Sequence, residues 1–382
     1  LMLDLMEEGT ATRNANRLAE EEESLGASIN VGALIVPSSA RLAPVAPPFW
    51  GGGGTTVARG RRTIALDIKK PGAVDIALRL VDKADALVEG FRPGVMERLG
   101  MGPDICLKRN PRLVYGRMTG WGQEGPLSQA AGHDLNYIAI TGALHAMGYA
   151  DRPPAPPLHL VGDMGGGAMM LAFGILCGLL EAGRTGKGQV VDAAICDGAS
   201  MLASTYHGKV RSGDWVNQRQ SNMLDGGAHF YGCYACADGK YVSIGAIEPQ
   251  FYRLLLKLCG IDDPDFQQQW ERAQWPLLRD KLAKIIMGKT RDQWCALLEG
   301  TDACFAPVLD SADAPEYPHN KERGGYIETG GTDHPAPAPR FSRTPGQARP
   351  IPETGQHTEA LLTELGLAES DILALRERGA IA

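Results

Sequence analysis

From Arg59 onward, short apolar segments alternate with segments whose apolar residues recur at helical spacing. This pattern predicts strands at residues 63–69, 86–91 and 113–118, with a helix at residues 73–84 between the first two. Strands that alternate with helices indicate an α/β fold with a parallel sheet flanked by helices. In such a sheet, ligands bind beyond the carboxyl ends of the strands, so residues that follow the predicted strands are candidates for a binding site.

A second pattern follows in the C-terminal half. A predicted strand at residues 241–247 precedes predicted helices at 251–259 and 277–287, which is typical of a smaller α+β domain. Residues 310–357 are rich in Pro and Gly and should cross the surface. We therefore predict a large domain with a Rossmann-like parallel sheet, a linker, a small α+β domain, a second linker and a C-terminal segment returning to the large domain, over residues 1–195, 196–232, 233–312, 313–337 and 338–382. Residues 1–55 are atypical, because no clear strand, turn and helix can be found in them.

Candidate chemistry is concentrated in residues 130–188, where His133 and Asp163 each stand in a Gly-containing turn beside an apolar segment. The nearly uncharged stretch from Asp163 to Glu181 has helical length, and Gly183 after it indicates a helix C-terminus. Asp163 is therefore expected at the N-cap, where its carboxylate accepts hydrogen bonds from the free N–H groups of the first turn.

Three glycines, Gly165 to Gly167, follow the expected cap and leave the first turn without side chains. Each costs about 1 kcal/mol of helix stability relative to Ala, so they favour a site that another molecule approaches closely. Two alternatives stay open: Asp163 only caps a core helix, or the apolar stretch spans a membrane. The stretch barely has the length of a span and glycines interrupt it, so we expect a buried helix and no membrane partner.

The bulk composition describes an ordinary globular protein of 382 residues, 44% hydrophobic and 22% charged. A net charge of −7 argues against a nucleic-acid-binding surface, which needs a basic face. No signal peptide is evident and the eight cysteines are spread out, so we expect reduced thiols and a cytoplasmic protein. Cys233 and Cys236, near His229, have zinc-ligand spacing, but one pair is weak evidence and we expect no metal.

Six segments together resemble the 2-methylacyl-CoA racemases of the family III CoA-transferase superfamily, and the match runs from about residue 59 to the C-terminus. The segments are GRMTGWGQEGP at 116–126, GHDLNY at 132–137, LVGDMGGG at 160–167, RTGKGQVVDA at 184–193, GAIEPQFY at 245–252 and DACFAPVL at 302–309. The resemblance implies an isomerase that interconverts (2R)- and (2S)-2-methylacyl-CoA through an enolate, with a role in lipid and fatty-acid metabolism. It implies no cofactor, since coenzyme A enters as part of the substrate. It also implies an interlocked homodimer, whose active site lies between domains of different subunits.

Removing a proton α to a thioester requires a base on one face of the carbon and an acid on the other, and His133 and Asp163 fit these roles. A histidine titrates near working pH, whereas Asp163 needs a pKa that burial raises against the field of a helix N-terminus. The free N–H groups expected on Asp163 and Met164 are candidates to bind the enolate oxygen. The alternative for His133 taken alone is a hydrogen-bonded structural histidine.

The resemblance also implies supporting and binding residues. Glu248 matches the partner of the catalytic histidine, and Asp134 is expected to orient His133 or a backbone turn. Substrate-binding residues carried over from the family are Leu66, Asp67, Ile68, Lys69, Gly132, Leu135, Asn136 and Tyr137. Arg92 and Lys69 stand at the carboxyl ends of predicted strands and are cations suited to the phosphates of coenzyme A. The alternatives are ordinary surface charges for these two, a solvent-facing loop residue for Glu248 and a structural role for Asp134.

Two other functions stay open. In a CoA-transferase of the same superfamily, which moves CoA between carboxylic acids, the residue matching Asp163 is a nucleophile that forms an acyl anhydride. Those transferases usually carry an aromatic residue where His133 stands, so GHD favours the racemase. A non-enzymatic acyl-CoA-binding protein would not need both His133 and Asp163.

Overall fold

The computed structural model describes residues 34–36, 59–329 and 332–381. Within these residues the chain divides into two units. The first unit is formed by the described residues of Leu1–Thr141, Leu158–Leu202 and Glu328–Ala382, and the second by Gly142–Pro157 and Ala203–Ile327.

The strands are β1 Leu34–Val36, β2 Ala86–Glu89, β3 Val114–Thr119, β4 Gln189–Ala194, β5 Tyr231–Ala235, β6 Tyr241–Gly245, β7 Phe305–Val308, β8 Tyr326–Thr329 and β9 Thr332–Pro335. The α-helices are α1 Ala73–Val81, α2 Val95–Arg98, α3 Pro103–Arg109, α4 Asp134–Ala139, α5 Met170–Thr185, α6 Ile195–Leu202, α7 Ser204–Ser212, α8 Pro249–Cys259, α9 Trp275–Ile286, α10 Arg291–Leu298, α11 Asp313–Glu316, α12 Pro318–Glu322, α13 Thr358–Glu364 and α14 Glu369–Glu377. A π-helix at Leu160–Met169 leads directly into α5, and short 3₁₀ helices lie at Leu144–Ala146, Pro264–Gln267 and Arg272–Gln274.

A four-stranded sheet in the order β1-β2-β3-β4 lies in the first unit. β2 and β4 both pair with β3 in the parallel sense, which confirms the predicted α/β fold with a parallel sheet. β2 and β3 are buried along their whole length, as strands covered on both faces should be. β1 pairs with β2 in the antiparallel sense. The rest of residues 1–55, predicted to be atypical, lies outside the described residues.

The strand predicted at residues 63–69 is not formed, so that prediction was wrong. The backbone there is held by the C-terminal segment instead, for example where the N–H of Ala65 donates to Oγ1 of Thr358 at 3.1 Å. Leu66 and Ile68 are buried in the core of the unit. Their alternating burial has the period of a strand, although their hydrogen-bonding partners do not belong to a sheet.

The helical stretch Leu160–Thr185 lies close to the sheet because glycines face the strands. A Cβ on Gly174 would lie 2.6 Å from Cγ1 of Val191, and one on Gly178 would lie 2.8 Å from Cγ1 of Val114. This stretch has 26 residues and a mean hydropathy of 1.6. By length and composition alone it could also cross a membrane. The glycine contacts show that it packs on the sheet of its own unit. The prediction of a buried helix was nevertheless wrong, because only the side of α5 with Leu171, Gly178 and Ala182 is buried and most of the other residues are exposed or half-buried.

Both ends of this stretch differ from the prediction. It begins at Leu160 with His159 as its N-cap, so Asp163 lies within the helix and not at its cap. At the other end Gly186, with a φ of 74°, is the C-cap. A left-handed C-cap requires a residue such as glycine, whereas Gly183 lies inside the helix, so its predicted role as the terminus was wrong.

The second unit contains an antiparallel sheet in the order β5-β6-β7. Its core includes Phe230, Tyr252, Trp275 and Trp294, which come from the sheet region and from α8, α9 and α10. Residues 196–232, predicted as a linker, contain α7 and most of α6. The sequence of α7, STYHGKVRS, has no apolar stripe of the kind that identifies a helix, and none of its residues is buried.

Two glycines of α5 allow a matched test of its packing on the sheet. Gly178→Ala should lower the free energy of unfolding by about 1–3 kcal/mol, because the new methyl group would lie 2.8 Å from buried Val114. Gly183→Ala should raise it by about 0.5–1 kcal/mol, because nothing lies within 4 Å of its Cβ position and Ala is the better helix former. Urea unfolding measures both variants, and effects of the same sign would contradict this packing.

Candidate active site

A carboxylate at the start of α4 joins this helix to the π-helix. Oδ1 of Asp134 accepts a hydrogen bond from the N–H of Asp163 at 2.6 Å. Gly162 permits the contact, because a Cβ there would lie 2.3 Å from Oδ1 of Asp134. Since His133 directly precedes Asp134, the fold brings the two predicted acid–base residues to the same part of the first unit.

Asp134 itself is buried, and its Oδ2 has no hydrogen-bond partner among the described residues. It was predicted to orient His133 or a backbone turn, and the hydrogen bond to Asp163 shows that it holds a backbone segment. A buried, incompletely paired carboxylate is costly, and such groups are concentrated at functional sites.

The backbone donors predicted to hold an enolate oxygen are already occupied. The N–H of Asp163 is bonded to Asp134, and the N–H of Met164 donates to the carbonyl oxygen of His159 at 3.0 Å. Because the helix begins at Leu160, Met164 closes the first π-turn and is not one of the unpaired donors of a helix end. The prediction of free N–H groups at these two residues was therefore wrong.

The side chain of Asp163 is half-buried, and within the described part of the chain its carboxyl accepts no hydrogen bond. Burial, followed by the charge of Asp134, raises the pKa of Asp163 to about 6, against a smaller opposite effect of His159. A carboxyl with this pKa exchanges a proton readily near neutral pH, as an acid–base catalyst must.

His133 is the N-cap of α4 and has an extended backbone. Its N–H donates to Oδ1 of Asn136 at 3.0 Å, which fixes the turn into the helix. The residue is half-buried, so its imidazole lies at the edge of the unit and not in the core.

A small pocket with a cavity volume of about 50 Å³, open to solvent, lies next to the N-terminus of α4. It is lined by Gly90, Phe91, Arg92, Pro93, Thr119, Gly120, Trp121, Ser128, Ala130, Ala131, Gly132 and Tyr137. The predicted binding residues Arg92, Gly132 and Tyr137 are therefore brought together. Leu135 and Asn136 are exposed on α4 and do not line this pocket.

Trp121 is a pocket residue that the sequence analysis missed. Its ring meets that of Tyr137 edge to face, with centroids 4.8 Å apart, and its Nε1 donates to the carbonyl oxygen of Ala130 at 3.1 Å. Gly132 fits against both rings, since a Cβ there would lie 2.9 Å from each. The available signal was an aromatic residue between two glycines, at positions 120 and 122. The sequence does not show which other ring packs against it.

The predicted binding residues 66–69 do not line the pocket. Leu66 and Ile68 belong to the core, so a ligand could meet only their backbone. Oδ1 of Asp67 accepts the N–H of Lys69 at 3.0 Å, and Lys69 is exposed.

In the residues that the structure describes, no cluster of three His, Cys, Asp or Glu side chains could hold a metal. Cys233 is exposed and Cys236 is buried. Nε2 of His229 is bonded to the hydroxyl of Tyr252 at 2.7 Å, inside the core of the second unit.

Residues 31–358 match CoA-transferase family III. The chain belongs to this family. It is 43% identical to the alpha-methylacyl-CoA racemase of Mus musculus over 322 residues, which cover 84% of each chain. It is 42% identical to the alpha-methylacyl-CoA racemase of Homo sapiens over 320 residues, 83% of this chain and 84% of the human protein. A crystal structure of a CAIB/BAIF family protein from Brucella suis, 24% identical, matches 87% of this chain and 86% of that chain with a TM-score of 0.71, which shows the same fold.

The match to family III extends over both units. Glu248, expected to partner His133, lies in the second unit as the N-cap residue of α8. Its pairing with His133 stays a prediction.

The raised pKa of Asp163 predicts how protein stability depends on pH. The folded state holds the proton more tightly than an unfolded chain, whose Asp pKa is about 3.9, so this contribution is full below pH ~3.9 and is lost as pH rises through about 6. Asp163→Asn, which keeps the backbone N–H, should therefore raise the Tm more at pH 8 than at pH 4.5. The control is Asp151→Asn, at an exposed carboxylate whose pKa is lowered by Arg152. The same Tm difference for Asp163→Asn at both pH values would contradict the assignment.

Proposed function

We propose that this family III protein is an isomerase that interconverts (2R)- and (2S)-2-methylacyl-CoA thioesters by removing and returning the α-proton. The observation that carries the proposal is the half-buried carboxyl of Asp163, with a pKa of about 6, held by Asp134 beside His133. The two mammalian relatives that are named alpha-methylacyl-CoA racemase support the same reaction.

In the proposed mechanism, His133 and Asp163 serve opposite faces of the α-carbon. One residue takes the α-proton, the electrons of the C–H bond pass into the thioester as an enolate, and the other residue returns a proton to the opposite face. Each such transfer contributes about 10²–10⁴-fold to the rate. Because the pKa of Asp163 is about 6, both its protonated and ionised forms are present near neutral pH. The donor for the enolate oxygen has to be a group other than the N–H of Asp163 or Met164, since both are bonded within the protein.

We assign the pocket to the coenzyme part of the substrate. Arg92 lines it, and no acidic side chain among the described residues pairs with its guanidinium, which suits a phosphate. Gly132 lines the pocket and directly precedes His133, so the coenzyme would lie beside one of the two proposed acid–base residues. Lys69, exposed outside the pocket, stays a candidate for a second phosphate.

We also propose the homodimer, with Glu248 of one chain supporting His133 of the other. The outer face of α5 supports an interface, because Phe173, Leu176 and Leu180 are 67%, 61% and 71% exposed and follow one another at helical spacing. The proposed enzyme needs no cofactor, works in the cytoplasm and serves fatty-acid metabolism.

The second candidate is transfer of CoA between carboxylic acids, which the family description favours. In that reaction the carboxylate of Asp163 attacks the thioester carbonyl, the C–S bond breaks, and coenzyme A leaves as a thiolate while an aspartyl anhydride forms. An Asp163 carboxyl that accepts no described hydrogen bond suits a nucleophile as well, so an experiment has to separate the two.

Isotope exchange separates the two reactions. One pure 2-methylacyl-CoA epimer, incubated in D₂O without an acceptor acid, should become a mixture of epimers that carry deuterium at C2. His133→Ala and Asp163→Asn should each lower epimerisation by about 10²–10⁴-fold. Each variant should exchange deuterium slowly into only one epimer, and the two should prefer opposite epimers. Proton NMR follows both deuterium incorporation and epimer composition.

The control for His133→Ala is His319→Ala, which changes an exposed histidine of α12. Near-normal epimerisation by either active-site variant would contradict the two-base assignment. An acyl group on Asp163 that hydroxylamine releases, without exchange at C2, would favour the transferase.

Chelation tests the proposed absence of a metal. Because side chains exchange the α-proton, epimerisation should survive exhaustive treatment with EDTA, measured with the same NMR assay. Loss of activity that zinc restores would overturn this proposal and direct attention to Cys233 and Cys236.

A further inference from the structure

One wall of the pocket, the loop Gly90–Pro93, is attached to a buried carboxylate. Glu89 is the last residue of β2, directly before the loop, and it is 0% exposed. Its Oε2 accepts a hydrogen bond from the N–H of Phe91 at 2.8 Å. One oxygen of Glu89 therefore holds the backbone of the loop itself.

The other oxygen connects the loop to the neighbouring strand. Oε1 of Glu89 accepts from Nε of Arg117 at 2.9 Å, and Arg117 is the register partner of Glu89 on β3. Arg117 is 7% exposed, and its Nη1 donates to Oε1 of Glu97 at 2.8 Å. Glu97 lies in α2, which begins just after the loop. The three side chains thus link the two ends of the loop to the sheet.

The buried ion pair of Glu89 and Arg117 is not explained by stability alone, because burying two charges costs free energy of desolvation. Burial raises the pKa of Glu89 to about 7 in spite of the adjacent Arg117. Buried ion pairs are often replaced by apolar residues without loss of stability, because desolvation offsets their attraction. A positioning role accounts for a buried carboxylate at the end of β2. Glu89 has to accept one hydrogen bond from the N–H of Phe91 and another from Nε of Arg117 at the same time.

We propose that Glu89, held by Arg117 and Glu97, is a positioning residue that fixes the loop Gly90–Pro93 so that Arg92 meets a phosphate of coenzyme A. The inference rests on the proposed function only in taking an acyl-CoA as the ligand. Glu89 acts through the N–H of Phe91, the neighbour of Arg92, and does not itself line the pocket. A second contact, from Nε2 of Gln129 to the carbonyl oxygen of Pro93 at 3.2 Å, supports the far end of the loop.

Glu89→Gln tests the inference with almost no change in shape. The amide offers one oxygen and one NH₂ group, so it can accept from Phe91 or from Arg117 but not from both. The Kd for free coenzyme A, measured by titration calorimetry, should rise about tenfold, comparable to the loss of one charged hydrogen bond. KM for the acyl-CoA should rise with it, whereas kcat should change little, because the acid–base residues are untouched.

Three further variants give the test its controls. Asp82→Asn removes the carboxylate of the Asp82–Arg109 pair, which is in the same unit but away from the pocket, and should leave the Kd unchanged. Arg92→Ala should weaken coenzyme A binding, and more at low salt than at high salt. If Glu89 acts through this arginine, Glu89→Gln should add little when Arg92 is already Ala. Glu97→Gln should raise the Kd in the same direction by a smaller factor, and it replaces Glu89→Gln if that variant does not fold.

A Kd for Glu89→Gln equal to that of the unchanged protein would overturn the inference. So would a double variant in which Glu89→Gln raises the Kd of Arg92→Ala by as much as it raises the Kd of the unchanged protein. The Kd is independent of catalysis, so the two proposals can fail separately. A Kd that depends on Glu89 in a protein without epimerase activity would support the loop assignment and reject the reaction. Epimerisation with a KM that does not respond to Glu89→Gln would support the proposed reaction and reject the loop assignment.

Discussion

The hydrogen bond from the N–H of Asp163 to the carboxylate of Asp134 is the contact on which the candidate site depends. It ties the π-helix to the start of α4, the helix whose N-cap is His133. It also places a second negative charge beside a carboxyl that is already half-buried, and both effects raise the pKa of Asp163. One contact thus contributes to the position and to the proton affinity of the proposed catalytic carboxyl.

The parallel sheet provides the rigid support for this contact. Glycines such as Gly174 and Gly178 let the long helix lie close to β3 and β4, which fixes the π-helix at its N-terminal end. At the pocket, the carboxyl end of β2 holds the loop that contains Arg92 through buried Glu89. The proposed proton transfer and the proposed coenzyme binding are therefore both anchored to strands of one sheet, consistent with ligand binding beyond the carboxyl ends of parallel strands.

The parallel sheet could be predicted, because hydrophobic periodicity is a property of the local sequence. The short motifs around His133 and Asp163 likewise pointed to the region that the bond between Asp134 and Asp163 holds together. The N-terminus of the π-helix could not be predicted, since the N–H of Asp163 is satisfied by Asp134, a residue distant in the sequence. The same reason explains the missing strand at residues 63–69, where the partners come from the C-terminal segment. The contact between the rings of Trp121 and Tyr137 is also a tertiary contact, which the spacing of residues along the sequence does not predict.

The most direct test of the account is the titration of Asp163 itself. Carbon-13 NMR of protein labelled at aspartate carboxyls, with Asp163→Asn to assign the signal, measures its pKa in the folded protein. We expect a value of about 6, and a lower value in Asp134→Asn that stays above the ordinary one, because burial is the larger cause. An Asp163 that titrates at the ordinary value of about 3.9, or whose pKa does not respond to Asp134→Asn, would contradict the account.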